Sequence, residues 1–310
     1  MSGAPVRIEV AVCTCGRSAL SEALASLDRQ EVPAWLGLSV LVIDNDETPS
    51  AEGAVRAFAE TSDVPVRYVH CPAFNISVAR NGALDHARAP LLAFMDDDET
   101  AEPGWIAALA SAQAESGADV VLGPVRAVYG PGAPGWMRRL DMHSTRPVEV
   151  QGTIRTGYSC NVLMDLESPA FRGLRFDPAL GRSGGEDTSF FTRAYRRGAR
   201  FVAAEQAVVT EKVGPERARF AWLARRRFRS GQTHGRLLAE TATGLPRVAA
   251  LGLAGLKLAY CAGGAILAAP DTARRNAALL RGCLHAGTAT GLIGIRPITL
   301  YGAATSGAGQ

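Results

Sequence analysis

The sequence lacks a Cys-x-x-Cys pair, and its six cysteines are scattered along 310 residues. Zinc sites and disulfide frameworks need clustered or patterned cysteines, whereas scattered ones are typical of reduced thiols in a cytosolic protein. Cys13 and Cys15 would share one face of a predicted strand, and we expect them to be reduced thiols as well. The first residues contain no apolar signal core, so we expect no secretory signal.

The chain also lacks a strong charge imbalance and the common nucleotide-binding loops. Its net charge is only +3, so we expect no nucleic-acid partner. Neither G-x-G-x-x-G nor G-x-x-x-x-G-K-[ST] follows the first predicted strand, which removes the main support for a dinucleotide-binding or P-loop protein. Hydrophobic residues make up 47% and charged residues 20%, as in a globular chain long enough for one large α/β domain and an appendage.

What the sequence does contain is an alternation of strand and helix patterns over its first 120 residues or so. The predicted strands cover residues 7–13, 40–43, 66–69, 91–95 and 119–123. The predicted helices cover residues 18–30 with Ser18 as N-cap, 51–61 and 75–86, and another begins at 103. Such alternation indicates an α/β fold with a parallel, doubly wound sheet and right-handed crossovers.

The second half of the predicted domain is less regular. Residues 124–156 are rich in Gly, Pro and Arg, and we predict a poorly ordered or ligand-shaped excursion there. Short strands over 160–164, 200–203 and 207–209 then complete the domain.

One apolar strand, residues 91–95, runs directly into Asp96, Asp97, Asp98 and Glu99. An apolar run of this kind is typical of a strand buried on both faces, and its carboxyl end is where open α/β sheets bind ligands. Adjacent carboxylates repel one another unless a cation separates them, and Asp96 and Asp98 could face one ligand. Their hard oxygens suit Mg²⁺ or Mn²⁺ bridging to phosphates, although a solvated acidic turn would show the same pattern.

A second acidic motif, Gly184-Gly185-Glu186-Asp187, opens a predicted helix. The two glycines permit a tight backbone, and the helix dipole favours negative charge at this position. Taken alone, the acidic pair would be read as a helix cap.

The C-terminal part combines basic and apolar helices. The predicted helix 215–240 is rich in arginine: Arg217, Arg219, Arg225, Arg226, Arg227, Arg229 and Arg236. A solvated face is the default for such a run, but the excess of arginine favours a diphosphate or an anionic lipid surface.

The apolar run 248–269 is long enough to cross a bilayer, yet its glycines and Lys257 leave three options open. It could span the membrane, lie in the interface or pack on the domain. A further helix is predicted over 271–284, and residues 305–310 are expected to be disordered. We expect peripheral membrane contact through residues 215–290.

Four motifs in this order resemble the family 2 glycosyltransferases with the GT-A fold. They are CTCGR at 13–17, VIDN at 42–45, NISVARNG at 75–82 leading to FMDDD at 94–98, and GGEDTSFF at 184–191. The resemblance covers about residues 6–240 and is strongest to the non-processive, succinoglycan-type glucosyltransferases of bacterial exopolysaccharide assembly. It implies a Rossmann-like GT-A domain over 1–240 and a helical segment, expected to be membrane-associated, over 241–310.

The resemblance implies a donor-binding role for several residues. Thr14 and Asp44 would contact the base and ribose of a nucleotide sugar, and Arg80 would lie near the nucleotide. Asp96 and Asp97 would also line the donor site.

The same resemblance implies the metal and catalytic residues. Asp96 and Asp98 match the family's D-x-D motif for Mg²⁺ or Mn²⁺, with Asp98 in direct contact with the metal. Asp187 matches the general base, and Glu186 would position the acceptor or support Asp187.

Two departures from the family pattern matter. The Q-x-x-R-W motif of processive synthases is absent, so chain polymerisation is not expected. Many relatives carry a metal-binding histidine after the last short strand, where this chain has Thr210-Glu211-Lys212, and a third protein ligand is therefore in doubt.

The resemblance predicts an inverting, metal-dependent hexosyltransferase at the cytoplasmic face of the cell membrane. Its donor would be a UDP-sugar and its acceptor a lipid-linked molecule or a glycan. A sugar-nucleotide nucleotidyltransferase is one alternative, but it would carry a Gly-rich, basic loop longer than residues 14–17. A non-catalytic GT-A scaffold is another, and it would be expected to have lost Asp98 or Asp187, which are both present.

Overall fold

The computed structural model describes residues 4–296, which form an α/β domain followed by three long helices. The strands are β1 (Val6–Thr14), β2 (Leu36–Asp44), β3 (Val66–His70), β4 (Leu91–Asp96), β5 (Glu99–Ala101), β6 (Val120–Leu122), β7 (Val125–Tyr129), β8 (Glu149–Val150), β9 (Thr153–Ile154), β10 (Asn161–Asp165), β11 (Phe201–Ala203) and β12 (Val209–Val213). The helices are α1 (Leu20–Asp28), α2 (Glu52–Thr61), α3 (Ile76–His86), α4 (Trp105–Ser116), α5 (Gly135–Leu140), α6 (Glu186–Arg196), α7 (Phe220–Thr241), α8 (Leu245–Leu267) and α9 (Thr272–Leu292).

The central sheet has seven strands in the order β11-β6-β10-β4-β1-β2-β3. Neighbouring strands are parallel except at β10, which runs antiparallel to both β4 and β6. Helices cover both faces, so β1, β2 and β4 contribute side chains to two separate cores, as expected for parallel strands. The predicted α/β class with a mostly parallel sheet is confirmed, and the reversed β10 is the feature that alternation of strands and helices did not indicate.

A second, three-stranded sheet in the order β5-β12-β7 lies next to the acidic motif. Its strand β5 begins at Glu99, and β12 pairs Glu211 with that residue. Of the two alternatives predicted for 124–156, the poorly ordered excursion is wrong, because this segment contains β7, α5 and the hairpin β8–β9. These elements are short and bury at most one face, so their hydrophobic periodicity is weak. The Gly and Pro residues around them therefore dominated the prediction. The ligand-shaped excursion stays a prediction.

The helix boundaries explain how the domain is assembled. Asn75 caps α3, since its Oδ1 accepts hydrogen bonds from the backbone N–H groups of Ser77 and Val78 at 3.0 and 3.3 Å. The predicted cap of α1 at Ser18 is wrong: Ala19 occupies the N-cap position, without a side-chain hydrogen bond. Helix α7 begins five residues later than predicted, and α9 extends to Leu292, beyond the predicted end at 284.

Helices α7 and α9 approach each other through paired glycines. A Cβ added at Gly231 or Gly235 would collide with the backbone of α9, and one added at Gly287 or Gly291 would collide with the backbone of α7. Small residues spaced by four let two helix backbones come this close. The predicted division at residue 240 stays a prediction, and residues 305–310 lie outside the described part of the chain.

Helix α8 packs one narrow face on α9 and leaves most of its apolar surface exposed. Its buried residues are Ala254, Cys261 and Ala265, whereas Leu256 is 69% and Tyr260 is 76% exposed. Among residues 4–296, α8 is the one helix long and apolar enough to cross a membrane by length and composition, with a mean hydropathy of 1.6.

Candidate active site

The candidate site lies at the carboxyl ends of β1, β2 and β4, the edge where open α/β sheets bind ligands. The sheet register places Thr14 beside Asp44 and Cys13 beside Asp96. Strands whose ends lie 30 or more residues apart along the chain therefore bring their polar ends to one crevice. This arrangement brings together residues that the resemblance to family 2 glycosyltransferases assigns to one donor site.

Asp97 points back into the protein rather than into open solvent. Its carboxylate accepts hydrogen bonds from the Thr14 hydroxyl at 2.6 Å and from Arg17 Nη1 at 2.9 Å, and the residue is buried. Burial raises the pKa of Asp97, although the Arg17 charge and the Thr14 hydroxyl oppose the shift. Asp97 therefore fixes the loop after β1 to the acidic motif.

Asp98 is more open and lies between two arginines. Its Oδ2 lies 3.0 Å from Arg17 Nη1 and 3.8 Å from Arg217 Nη1. Arg217 also contacts Glu211, with Nη1 at 2.5 Å from Oε1. Residues 210–212 stand where many family members carry a metal-binding histidine, and they supply the Glu211 carboxylate at this end of the site. Arg217 already pairs with that carboxylate.

Arg80 connects the acidic motif to the Glu186-Asp187 pair. Its Nη2 lies 3.6 Å from Asp96 Oδ1, and its Nη1 forms an ion pair with Glu186 Oε1. Burial alone would lower the pKa of Arg80, but the carboxylates of Glu186 and Asp96 outweigh burial and raise it, so the guanidinium stays charged. Arg80 also lies over the Phe176 ring, with its guanidinium carbon 5.8 Å from the ring centroid.

Helix α3 also holds the segment that leads to α6. The side chain of Asn81 exchanges two hydrogen bonds of 2.8 Å with the backbone of Phe176, and Asn75 Nδ2 donates to the carbonyl of Pro178 at 2.9 Å. The NISVARNG motif therefore places Arg80 and, through its two asparagines, orients the chain just before the glycine pair.

The glycine pair is required by backbone conformation and by space. Gly184 and Gly185 have φ values of +79° and +90°, in the left-handed region that favours glycine. An added Cβ would collide with Arg229 at Gly184 and with Thr233 at Gly185. Helix α7 therefore packs directly on the turn that starts α6.

Glu186 and Asp187 occupy the first turn of α6 in different environments. Glu186 is buried, and its Oε2 has no hydrogen-bond partner within the described chain. Asp187 is half-buried and accepts a hydrogen bond from the backbone N–H of Thr188 at 2.6 Å. A buried carboxylate oxygen without a donor costs free energy and is a natural acceptor for a ligand hydroxyl.

Asp44 is fully buried and bound to protein groups. One oxygen accepts from Tyr68 and from the backbone N–H of Ala51, both at 2.8 Å, and the other accepts from the N–H of Asp46 at 3.1 Å. In this structure Asp44 shapes the loop after β2. Its predicted contact with the nucleotide stays a prediction.

The carboxylates suit a divalent cation that completes its coordination with substrate. Loss of hydration and the charges of Asp98 and Asp97 raise the pKa of Asp96, although Arg80 acts in the opposite direction. A cation would relieve this crowding. Within residues 4–296 no group of three His, Cys, Asp or Glu side chains has ligating geometry. One or two carboxylates with phosphates and water are the usual ligands of Mg²⁺, so Asp96 and Asp98 fit that role.

Sequence reasoning assigned no role to two charged residues of this site, Arg17 and Glu99. It predicted Arg217 only as one member of an arginine-rich run suited to a diphosphate or an anionic lipid surface. Arg17 carried a usable signal, because it stands in the loop after the first strand of an α/β sheet. Glu99 is buried, and its Oε2 accepts the backbone N–H of Asp96 at 3.1 Å. Arg217 was expected within a helix, but it lies in the turn between β12 and α7, and its approach to Asp98 depends on packing between distant segments.

Comparison with solved structures identifies the fold. The mannosyltransferase PcManGT from Pyrobaculum calidifontis, in complex with GDP-Man and Mn²⁺, matches with a TM-score of 0.63 and 21% identity over 94% of this chain and 88% of that one. Residues 1–349 of S. aureus TarS in complex with UDP match with a TM-score of 0.53 and 22% identity over 70% of this chain. The matched region spans 63% of that TarS fragment, just under two thirds. The predicted GT-A fold is confirmed.

Sequence comparison identifies the family. The chain is 48% identical to the succinoglycan biosynthesis protein ExoM of Rhizobium meliloti (strain 1021), over 98% of either chain. The family model described as "Glycosyl transferase family 2" matches residues 9–179, which include most of β1, the acidic motif and Arg80. The chain belongs to glycosyl transferase family 2.

Proposed function

We propose that this protein is an inverting, metal-dependent hexosyltransferase of bacterial exopolysaccharide synthesis. Its donor would be a UDP-sugar, and its acceptor a hydroxyl of a lipid-linked molecule or a glycan. One observation carries the proposal: Arg80 contacts both Asp96 and Glu186 and so joins the acidic motif to the Glu186-Asp187 pair. The family membership and the near full-length similarity to a succinoglycan biosynthesis protein support it.

The donor half of the site contains groups suited to stabilise the negative charge of the leaving group. Displacing a sugar from a nucleoside diphosphate builds negative charge on the departing phosphate. A divalent cation, when bound by Asp96 and Asp98, would stabilise that charge as a Lewis acid. Arg17 and Arg217 already contact Asp98 and would add positive charge at the same end of the crevice.

The acceptor half supplies a base. An acceptor hydroxyl is a weak nucleophile until its proton is removed, and Asp187 is the half-buried carboxylate assigned to this step. Removal of a proton by a positioned carboxylate is worth about 10²- to 10⁴-fold in rate. A single base with direct displacement inverts the anomeric carbon.

Glu186 is suited to hold the acceptor rather than to remove its proton. One of its oxygens pairs with Arg80, and the other is buried without a hydrogen-bond donor in the described structure. An acceptor hydroxyl donating to Oε2 would satisfy that oxygen and fix the direction of attack.

The C-terminal helices favour contact with a membrane surface, as a lipid-linked acceptor requires. Helix α8 exposes leucine, isoleucine and tyrosine side chains along its length. A transmembrane path for α8 is disfavoured because α9 packs alongside it and carries Arg274, Arg275 and Arg281. We propose that α8 lies in the interface at the cytoplasmic face.

The test is nucleotide release from a panel of UDP-, GDP- and dTDP-sugars, each with Mn²⁺, with Mg²⁺ and with EDTA. The expected result is slow hydrolysis of one donor that requires the metal and is lost in Asp98→Asn. Asp63→Asn, in the exposed turn before β3, is the matched control and should behave as the unmodified protein. Failure to bind or turn over any nucleotide sugar would contradict the proposal.

A further inference from the structure

A buried histidine in the segment 124–156 connects that segment to the donor end of the site. His143 is 1% exposed, and its Nε2 lies 3.0 Å from the backbone carbonyl of Arg217. Its Nδ1 lies 3.1 Å from the Tyr129 hydroxyl, which also accepts the backbone N–H of His143 at 3.1 Å. The imidazole therefore joins β7 to the turn between β12 and α7.

These contacts determine which nitrogen carries the proton. A carbonyl can only accept, so Nε2 must donate to Arg217, and Nδ1 of a neutral ring then accepts from the Tyr129 hydroxyl. Burial lowers the pKa of His143 to about 4, with the nearby charges of Arg226 and Arg217 acting in the same direction. The ring is therefore neutral at physiological pH, and both of its nitrogens have partners.

Aromatic contacts also restrain the turn between β12 and α7. The His143 ring stacks on the Trp222 indole with centroids 5.3 Å apart and planes at 22°. The Arg217 guanidinium lies over the same indole, 5.1 Å from its centroid. Backbone and side chain of Arg217 are thus both restrained, the first by His143 and the second by Trp222.

These restraints on Arg217 fix the position of its guanidinium beside Glu211 and Asp98. The Arg217 guanidinium lies 2.5 Å from Glu211 and 3.8 Å from Asp98, the residue assigned to the metal. We infer that Arg217 binds the diphosphate of the donor and that His143 is the residue that positions it there. The inference rests on the proposed donor site. A planar guanidinium suits this role because it can donate two parallel hydrogen bonds to phosphate oxygens.

A comparison of UDP with UMP distinguishes a diphosphate contact of Arg217 from a purely structural role. A diphosphate contact affects UDP much more than UMP, which lacks the second phosphate. Loss of folding stability would weaken both ligands alike. The informative quantity is therefore the ratio of the UMP and UDP dissociation constants, measured by calorimetry with Mn²⁺ and again with EDTA.

Arg217→Gln tests the contact itself. We expect UDP affinity to fall about 10- to 100-fold, the range for a charge-assisted hydrogen bond to a phosphate, with UMP affinity nearly unchanged. Arg172→Gln is the matched control, because Arg172 is exposed and belongs to none of the motifs of the site. An unchanged UMP-to-UDP ratio in Arg217→Gln would overturn the inference.

His143→Phe tests positioning, because phenylalanine keeps the stack on Trp222 and removes both hydrogen bonds. We expect the same loss of preference for UDP, with no further loss when Arg217→Gln is added, since the two residues act as one unit. His143→Gln, which can still donate to the Arg217 carbonyl, should recover part of the preference. Tyr129→Phe supplies a milder variant should His143→Phe fail to fold.

The outcomes separate this inference from the proposed function. Should the unmodified protein bind no nucleoside diphosphate in a panel of UDP, GDP and dTDP, the proposed function itself fails. Should it bind UDP with full preference retained in both His143→Phe and Tyr129→Phe, the positioning role alone is overturned.

Discussion

Arg80 and Glu186 form an ion pair at the base of the candidate active site, and both side chains are buried. They lie 106 residues apart in the sequence. Arg80 also approaches Asp96, so one guanidinium balances carboxylates from two motifs. The pair therefore has two roles. It links α3 to α6 at the crevice, and its guanidinium reduces the repulsion between the carboxylates there.

Arg80→Met should strongly destabilise the protein, because it leaves Glu186 buried without its partner. Removing one member of a buried pair typically costs about 3–5 kcal/mol. We expect a loss of this size in urea unfolding monitored by circular dichroism. Adding Glu186→Leu should restore part of the stability, since the uncompensated charge is then gone. If the double variant were less stable than Arg80→Met, the stabilising effect of Arg80 would not come from its pairing with Glu186.

Asp187→Asn should separate chemistry from donor binding. Transfer should fall about 10²- to 10⁴-fold, the usual contribution of a general base, while the dissociation constant for UDP changes little. The measurement pairs a transfer assay with calorimetry on the same preparation, and Asp63→Asn serves again as control. Turnover equal to that of the unmodified protein would remove Asp187 from the role of base.

Motifs that are contiguous in sequence predicted much of this site. Asp96 and Asp98 follow a buried strand, and Glu186 and Asp187 open a helix, so each group is placed by its own local structure. Sheet registration then brings Thr14 and Asp44 to the same edge of the sheet as Asp96. In a parallel sheet, strand ends meet at one edge whatever the details of packing, which explains why this part could be predicted.

The parts that sequence reasoning missed depend on contacts between segments without strong periodicity. The sheet β5-β12-β7 joins three short strands from distant regions, and a three-residue strand such as β5 gives almost no pattern. The contact of His143 with Arg217 spans 74 residues and rests on one ring seated between Tyr129 and Trp222. Nothing local in residues 124–156 indicates such a ring contact.

Without metal, stability should fall as the pH rises through the range in which Glu99 ionises. Burial, followed by the charges of Asp96 and Glu211, raises the pKa of Glu99 well above its ordinary value of 4.5. Above pH 4.5 the folded protein therefore binds more protons than the unfolded chain, and the free energy of unfolding decreases with pH until the raised pKa is passed.

Glu99→Gln provides the test of this pH dependence. Glutamine mimics the neutral form and can still accept the N–H of Asp96, so the fall in stability between pH 5 and pH 8 should become smaller. The measurement is urea unfolding in EDTA at several pH values. The exposed Glu52→Gln should leave the slope unchanged, and an equal slope in Glu99→Gln would contradict the assignment.

The paired glycines of α7 and α9 should tolerate no side chain. Gly287→Ala places a Cβ against the carbonyl of Phe228, so we expect a loss of about 1–3 kcal/mol from overpacking. Gly282→Ala on the same helix is the matched control, because its Cβ would meet Cys261 and Leu258 at ordinary contact distances of 3.5 Å.

The control variant has an expected sign of its own. Replacing glycine by alanine inside a helix gains up to about 1 kcal/mol, so Gly282→Ala should be neutral or stabilising. Thermal unfolding of both variants, followed by circular dichroism, measures the contrast. Equal effects of the two substitutions would mean that α7 and α9 do not pack as closely as described. Since α7 also contacts Gly184 and Gly185, Gly287→Ala should reduce transfer as well.

The exposed face of α8 should bind anionic membranes without crossing them. Leu253, Leu256, Tyr260 and Leu267 are all more than half exposed. We expect the protein to float with vesicles containing phosphatidylglycerol, to bind neutral vesicles less, and to be released by alkaline carbonate. Burying apolar side chains in the interface supplies the affinity, and arginines nearby add attraction to anionic headgroups.

Replacing those four side chains by glutamine should abolish flotation while leaving hydrolysis of the soluble donor intact, because none of them lies in the crevice. Val148→Gln is the control, since Val148 is 65% exposed but lies outside the C-terminal helices. Retention in the membrane after carbonate treatment would instead mean that α8 spans the bilayer. That path would require α9, with its three arginines, to separate from α8 or to enter the membrane with it.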